Sequence, residues 1–397
     1  MMKYDFEHVH PRYGVGSGKW DEMLGNPAVT DDVIPFSVAD MELPTAPEIK
    51  EGLKKFIDTY VLGYAGGKNE AYLKAVCSWM KRRHSWDVKP EWLVETHSIV
   101  NAFFTAVKTY TKPGDGVILF TPVYYPMYKA VYINKRKLVE SPLINSGDTY
   151  DIDWADFEAK AGLPESKLLI LCSPHNPCGR IWTREELTRI SEICLANDVF
   201  VVSDEIHSDL IMPGYEHVSY GTISEAARQN CIVCTAPSKT FNLAGMQLSN
   251  IFIPNEKNRR LFKAEQATDA DFACGILAYE ACRLAYEHGE AWLEQLIKLI
   301  DANRRLVVDF MQKHFPQVKI TNMQATYLLW MDFRAFNLPK EALEYRNRQQ
   351  AALYFDEGYI FGEAGTGFER WNLACPSSYI EKALKRLYEA YADLAVC

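Results

Sequence analysis

The stretch Cys231-Ile-Val-Cys-Thr-Ala-Pro-Ser-Lys-Thr-Phe-Asn-Leu-Ala-Gly245 begins with a short apolar, β-branched run and continues into small and polar residues. The apolar run predicts a buried strand, and Lys239 follows that strand at its carboxyl end. Open α/β sheets bind their ligands at this edge. Lys239 is therefore a candidate functional amine.

Two upstream apolar runs end in the same way. Residues 167–172 (Lys-Leu-Leu-Ile-Leu-Cys) lead to Asn176, and residues 199–202 (Val-Phe-Val-Val) lead to Asp204. From about residue 35 to residue 286, strand-like and helix-like patterns alternate, which predicts an α/β fold with a mostly parallel sheet and flanking helices. Such a sheet would bring an amine, an amide and a carboxylate to one edge.

The alternation of strand-like and helix-like patterns ends near residue 288. A long helical pattern over 292–315 precedes a strand at 326–333 and a Gly-rich stretch at 362–370. We expect a large domain at 43–286 and a smaller α+β domain built from 1–42 and 287–397. The opening residues are rich in Gly, Pro and Asn and predict irregular structure up to about Pro35.

The composition excludes several classes of protein. The 397 residues carry a formal charge of −9, with 48% hydrophobic and 24% charged residues, so nucleic-acid binding is not expected. The first residues lack the apolar core of a signal peptide, and no run of about 18 apolar residues predicts a membrane span. Ten scattered cysteines indicate a reducing, cytoplasmic compartment. Cys231 and Cys234 would point to opposite faces of a strand, so we expect no metal site.

An amine, an amide and a carboxylate at neighbouring strand ends match the needs of pyridoxal phosphate. Lys239 would supply the Schiff-base amine. Asp204 would face the pyridine nitrogen and keep it protonated, although the adjacent Glu205 competes for this position. His207 and Asn176 would donate to the phenolic oxygen.

Further residues could complete such a site. Tyr124 would stack on the ring, with Tyr125 as an alternative. The predicted helix that Ser98 caps would bind the phosphate at its N-terminus. Its donors would be Ser98, Ile99, Val100 and, beside the lysine, Ser238. Arg370 would bind the α-carboxylate of an amino acid through both oxygens. Each residue taken alone has an ordinary structural interpretation, as a surface charge, helix cap, turn or core aromatic.

Taken together, these segments resemble the fold type I, class I/II pyridoxal-phosphate aminotransferase superfamily, and within it the cystathionine β-lyase and cystalysin-like C–S lyase branch. The stretches that carry the resemblance run in the expected order across nearly the whole chain: 19–21 (Lys-Trp-Asp), 37–41 (Ser-Val-Ala-Asp-Met), 63–64 (Gly-Tyr), 121–124 (Thr-Pro-Val-Tyr), 173–177 (Ser-Pro-His-Asn-Pro), 203–207 (Ser-Asp-Glu-Ile-His), 238–242 (Ser-Lys-Thr-Phe-Asn) and 368–370 (Phe-Glu-Arg).

The resemblance implies the same roles for Lys239, Asp204, Asn176, Tyr124 and Arg370. It adds that Tyr64 reaches the phosphate of a neighbouring subunit, which implies a homodimer with shared active sites. It also places the backbone of Ala39 near the substrate carboxylate.

Four positions depart from the pattern of the wider superfamily. His207 stands where tyrosine is common. Ala236 and Gln247 stand where a phosphate-binding serine and arginine are common. Ser98 replaces the usual glycine of the phosphate turn.

The resemblance implies a β-lyase that cleaves cystathionine or other cysteine S-conjugates to pyruvate, ammonia and a thiol. The same residues would serve an aminotransferase, since the two reactions share the removal of the α-proton. A regulatory protein that binds the cofactor without turnover is a third alternative.

Overall fold

The computed structural model describes residues 4–26, 29, 32–66, 69–269 and 273–395. The strands in these ranges are β1 Ile34–Pro35, β2 Leu93–Thr96, β3 Gly116–Thr121, β4 Lys137–Pro142, β5 Ile144–Asn145, β6 Tyr150–Asp151, β7 Ser166–Cys172, β8 Phe200–Asp204, β9 Cys231–Thr235, β10 Ser249–Phe252, β11 Lys319–Ile320, β12 Leu328–Asp332, β13 Leu353–Tyr354, β14 Asp356–Glu357 and β15 Phe368–Asn372.

The α-helices in the same ranges are α1 Gly18–Leu24, α2 Pro47–Thr59, α3 Glu70–His84, α4 Ile99–Tyr110, α5 Tyr125–Ile133, α6 Trp154–Ala161, α7 Arg184–Ala196, α8 Glu225–Gln229, α9 Pro237–Thr240, α10 Glu256–Thr268, α11 Ile276–His288, α12 Glu290–His314, α13 Lys340–Tyr345 and α14 Ser377–Ala390.

The central sheet has the strand order β2-β10-β9-β8-β7-β3-β4, seven strands within the described residues. Strands β9, β8, β7, β3 and β4 run parallel to one another, whereas β10 runs antiparallel to both β2 and β9. The central strands are buried along nearly their whole length, which explains their continuous apolar character. The predicted α/β fold with a mostly parallel sheet is confirmed.

The register of this sheet aligns the predicted strand ends. Cys172 at the end of β7 lies opposite Asp204, and Asp204 lies opposite Cys234 of β9. The short helix α9 begins two residues after β9 and carries Lys239. The functional candidates from β7, β8 and β9 therefore emerge at one edge.

Helix capping follows the sequence closely. Ser98 caps α4 by accepting from the backbone N–H of Asn101, and Thr183 forms a capping box with Glu186 at the start of α7. The expectation of irregular structure up to Pro35 was wrong in part, because α1 forms there. Seven residues give too short a periodic pattern to predict a helix, and burial of Lys19 and Met23 stabilises it through tertiary packing.

A second sheet lies in the C-terminal part of the chain. Its strand order is β11-β12-β15-β14, four antiparallel strands within the described residues. Strand β1 pairs with β13 in parallel, so residues 34–35 are tied to residues 353–354. This pairing supports our proposal that an N-terminal segment joins the smaller domain, and the boundaries at residues 42 and 287 remain a prediction.

Cys231 and Cys234 face opposite sides of the sheet, as predicted, and they belong to different hydrophobic clusters. Among the described residues, no group of three or more His, Cys, Asp or Glu side chains could hold a metal ion. Over the same residues, no helix is both long enough and apolar enough to cross a membrane.

Candidate active site

A cavity of about 130 Å³ opens at the edge where the strands β7, β8 and β9 end. Its lining residues come from the strand ends, the start of α4, helix α9 and the following loop. They are Ala39, His97, Ser98, Ile99, Val100, Tyr124, Cys172, Asn176, Asp204, Ile206, His207, Ser238, Lys239, Ala244, Gln247, Leu248 and Ser249. Most of the residues predicted from the sequence therefore meet in one place.

Lys239 lies in this cavity on the short helix α9. Its Nζ donates a hydrogen bond of 2.7 Å to the carbonyl oxygen of Ala39. Removal from bulk water lowers the pKa of Lys239 to about 8, and the positive charge of Arg370 also lowers it, against the opposing effect of the Asp40 carboxylate. At pH 7 most of this amine is still charged, but the uncharged fraction, about a tenth, is far larger than for an exposed lysine.

Asp204 ends β8 and is 3% exposed. Its Oδ1 accepts a hydrogen bond of 3.1 Å from the backbone N–H of Ile206. Burial raises the pKa of Asp204 to about 7, because the Ile206 N–H and the more distant Lys239 only partly offset the loss of water. A cation placed against this carboxylate would favour its ionised form.

Glu205 is excluded as a competitor of Asp204 because it points elsewhere. Its carboxylate accepts from the backbone N–H of Tyr220 at 2.8 Å and pairs with the ring of His217 at 3.1 Å. Successive side chains alternate at a strand end, so Asp204 faces the cavity.

His207 and Asn176 face the cavity from adjacent loops. The Nδ1 atom of His207 is buried and has no hydrogen-bond partner among the described residues. Burial lowers the pKa of His207 to about 3, with further lowering by Lys239 and Arg370, so the ring is neutral. The Oδ1 atom of Asn176 accepts from Arg370 Nη1 at 2.8 Å.

Arg370 lies on β15 and is 2% exposed. Besides Asn176, it pairs through Nη2 with the carboxylate of Asp356 on the neighbouring strand β14. Its guanidinium carbon lies 4.6 Å from the centroid of the Phe361 ring. Its Nε atom is buried without a hydrogen-bond partner in the described part of the chain. The β15 strand thus places a guanidinium beside Asn176 of the cavity.

The N-terminus of α4 forms the other end of the cavity. Ile99 and Val100 line it together with Ser98 and Ser238. The hydroxyl of Ser98 is engaged with Asn101, accepting from its N–H at 3.1 Å and donating to its Oδ1 at 2.6 Å. The first N–H groups of a helix have no intrahelical partner, so this end can bind an anion.

The two adjacent tyrosines have different surroundings in the structure, although their ring centroids lie 5.2 Å apart. Tyr124 lines the cavity, whereas Tyr125 packs against the ring of Phe361 with centroids 6.3 Å apart. Tyr64 lies outside the cavity with a fully exposed side chain. Within this chain the structure does not bring Tyr64 to the other predicted residues.

Sequence reasoning missed Asp356 and the backbone of Val38. Val38 has a positive φ of 54°, a strained conformation for a β-branched residue. Its N–H donates to Asp356 Oδ2 at 2.9 Å, and its carbonyl accepts from Asn372 Nδ2 at 2.7 Å. The sequence holds no signal for these contacts, because they depend on packing between distant segments.

Comparison with known proteins places the chain in a family. The profile described as "Aminotransferase class I and II" matches residues 31–387. Cystathionine beta-lyase PatB of Bacillus subtilis (strain 168) is 37% identical over 97% of this chain and 99% of its own length. Protein MalY of Escherichia coli (strain K12) is 32% identical over 98% of both chains.

A solved structure is similar over the whole chain. Cystalysin from Treponema denticola, whose crystal structure contains a pyridoxal 5'-phosphate cofactor, is 46% identical and superimposes with a TM-score of 0.97. The match covers 99% of this chain and 100% of cystalysin. The predicted family is therefore confirmed: this chain belongs to the class I and II aminotransferase family.

Proposed function

We propose that this protein is a pyridoxal phosphate-dependent C–S β-lyase that cleaves cysteine S-conjugates, including cystathionine, to pyruvate, ammonia and a thiol. The observation that carries the proposal is that Lys239 and the buried carboxylate of Asp204 face one cavity, which the N-terminus of α4 closes at its other end. The relatives named as a cystathionine beta-lyase and as cystalysin support the reaction and the cofactor.

The polar groups of the cavity fit this cofactor. Asp204 is a buried carboxylate whose pKa burial raises to about 7, and a protonated ring nitrogen would provide its missing cation. The Nδ1 atom of His207 has no hydrogen-bond partner among the described residues, so it could donate a hydrogen bond to the phenolic oxygen of the cofactor. Because Asn176 accepts from Arg370 through Oδ1, its amide N–H groups are left to donate to the same oxygen.

The phosphate would bind where α4 begins. We assign its contacts to the backbone N–H groups of Ile99 and Val100 and to the hydroxyl of Ser238. Ser98 would contribute chiefly as the helix cap, since its hydroxyl is engaged with Asn101. Each of these groups is neutral, and Ala236 and Gln247 add no charge, so the helix dipole supplies the positive field.

The substrate would lie between Arg370 and Lys239. Arg370, which donates to Asn176 of the cavity, would bind the α-carboxylate, with the backbone of Ala39 nearby. Tyr124, which lines the cavity, would pack on the face of the cofactor ring. When bound, the cofactor supplies an electron sink for the charge that develops at the α-carbon. Lys239 removes the α-proton as general base, a role that fits a pKa lowered to about 8 by removal from water. Asp204 would hold a proton on the ring nitrogen.

We further propose a cytoplasmic homodimer with shared active sites. Tyr64 and its neighbours Tyr60, Val61 and Leu62 form an exposed apolar stretch, with 52% to 107% of each side chain accessible. An exposed stretch of this kind marks an interaction surface. In the dimer, Tyr64 would reach the phosphate in the neighbouring subunit. The ten cysteines are scattered along the sequence, which favours a reducing compartment.

An aminotransferase is the second candidate, since the family match covers most of the chain. One experiment separates the two functions. The purified protein with pyridoxal phosphate is given S-ethylcysteine or cystathionine, and pyruvate and free thiol are measured. A lyase yields both in equal amounts over many turnovers, and Lys239→Ala yields neither. An aminotransferase yields no free thiol and requires a 2-oxo acid for repeated turnover. A protein that binds the cofactor but performs neither reaction would be the regulatory alternative.

A further inference from the structure

The counter-ion of Arg370 within the chain is the carboxylate of Asp356. These two residues are direct partners across the antiparallel strands β14 and β15, and the ion pair joins Asp356 Oδ2 to Arg370 Nη2. The side chains are 12% and 2% exposed, so the pair is largely withdrawn from water. The Asp356 carboxylate is thus already paired with the guanidinium that we propose binds the carboxylate of the substrate.

Asp356 lies beside the cavity. Burial raises the pKa of the Tyr124 and Tyr125 phenols, and the negative charge of Asp356 raises the pKa of both further. Tyr124 lines the cavity itself. Asp356 also accepts from the N–H of Val38, the residue before the cavity-lining Ala39, and its partner Arg370 donates to Asn176 of the cavity. These contacts place Asp356 next to the proposed binding site of the substrate carboxylate.

The contacts of Asp356 allow it to exchange Arg370 for another partner. Its Oδ2 atom accepts from Arg370 and also from the N–H of Val38 at 2.9 Å. If a substrate carboxylate took over the guanidinium, Asp356 would keep the Val38 hydrogen bond. That hydrogen bond does not replace the cation, so the exchange has a free-energy cost that the incoming carboxylate must offset. The Nε atom of Arg370, without a partner in the described structure, gives the guanidinium a further donor for the incoming group.

We infer that Asp356 is a specificity-determining residue that occupies Arg370 in place of the substrate's α-carboxylate and must be displaced when substrate binds. This inference rests on the proposed function of Arg370. Competition of this kind costs affinity for every carboxylate ligand, and it disfavours ligands too weak to displace the internal pair. Removing the charge of Asp356 should therefore tighten carboxylate binding, whereas removing an ordinary positioning residue would weaken it.

The test measures binding and not turnover. The ligand is 3-(methylsulfanyl)propanoate, which resembles S-methylcysteine without its amine and cannot react. Its dissociation constant is measured by calorimetry on the cofactor-loaded enzyme for the parent protein, Asp356→Asn, Asp356→Ser and Arg370→Lys. We expect both Asp356 variants to bind it at least fivefold more tightly than the parent. The uncharged amide, 3-(methylsulfanyl)propanamide, should bind all of them alike.

Asp332→Asn is the matched control. Asp332 belongs to the same sheet and forms an ion pair with the surface residue Arg334, so its replacement should leave propanoate binding unchanged. Unchanged or weaker propanoate binding in the Asp356 variants would overturn the inference while leaving the lyase proposal intact. If Arg370→Lys bound propanoate as well as the parent, the assigned role of Arg370 would fail, and the inference would fall with it.

Discussion

Lys239 donates a hydrogen bond of 2.7 Å from Nζ to the carbonyl oxygen of Ala39, a residue 200 positions earlier in the chain. The strained Val38 precedes this carbonyl, and Asp356 and Asn372 hold Val38 in place. The Lys239 amine, which follows a strand of the large sheet, is therefore oriented by residues 38–39, and two residues of the small sheet hold that segment in place. Contacts with the small sheet therefore help to set the position of the Lys239 amine.

The first prediction concerns the protonation of Lys239 in the protein without cofactor. Burial lowers its pKa to about 8, and an amine reacts as a nucleophile only when uncharged, so its reactivity should rise through pH 8. An exposed lysine reaches half of its full reactivity at pH ~10.4. Labelling with a small amine-reactive reagent at several pH values, followed by peptide mass spectrometry, measures the reactivity of Lys239 and of an exposed lysine in the same experiment. A midpoint for Lys239 at pH 10 or above would contradict the assignment.

The second prediction concerns the charge of Asp204. Asp204→Asn keeps the size and the acceptor for Ile206 but removes the carboxylate that would hold the ring nitrogen protonated. We expect kcat to fall about 10²-fold or more, the range found for loss of one preorganised electrostatic group. Ser203→Ala, adjacent on the same strand, is the control and should retain most of the activity. An Asp204→Asn variant with near-parental kcat would exclude the proposed role.

The third prediction concerns the buried Glu369. It lies opposite Glu357 in the small sheet, and neither of its carboxylate oxygens has a hydrogen-bond partner in the described structure. Burial, and then the charge of Glu357, raise the pKa of Glu369 well above its usual value. The stability that the protonated form contributes is complete below the unfolded pKa of about 4.3, and it is lost as pH rises toward the folded pKa.

Glu369→Gln should therefore stabilise the protein above neutral pH. We expect a gain of about 1.4 kcal/mol or more at pH 8, the equivalent of one pKa unit, because glutamine does not have to stay protonated, and a smaller gain at pH 5. Denaturant unfolding at both pH values measures it, with the exposed Glu363→Gln as the control. A loss of stability at pH 8 would show that the carboxylate has a partner and is ionised.

The fourth prediction tests the shared site. Sedimentation should give twice the 45.4 kDa mass of the chain. Tyr64→Phe should lower cofactor affinity, and Lys239→Ala should abolish turnover. If Tyr64 serves the neighbouring subunit, a mixed dimer of these variants contains one intact site. Mixing and refolding the two proteins should then raise activity above that of Tyr64→Phe alone, whereas a simple average of the two would contradict the arrangement.

The strand ends were the predictable part of this site. Lys239 and Asp204 each follow an apolar run, and the parallel pairing of such runs brings their ends together. The choice between Asp204 and Glu205 could not be made from the sequence, because it depends on contacts of Glu205 with Tyr220 and His217.

The contribution of the small sheet was harder to predict. Arg370 was found from its chemistry and its place after a Gly-rich stretch. Asp356 was not, because its pairing with Arg370 arises from the register of β14, a strand of two residues. So short a strand leaves no alternating pattern to read. The positive φ of Val38 was equally hidden, since nothing in a valine indicates a left-handed conformation.

The most direct test of the central claim is to map the attachment site of the cofactor. The protein is purified, supplied with pyridoxal phosphate, reduced with borohydride, and digested for mass spectrometry. We predict a yellow protein whose colour is lost on reduction, with the pyridoxyl label on Lys239 and absent from Lys239→Ala. A protein that stays colourless with added cofactor, or a label on another lysine, would contradict the account.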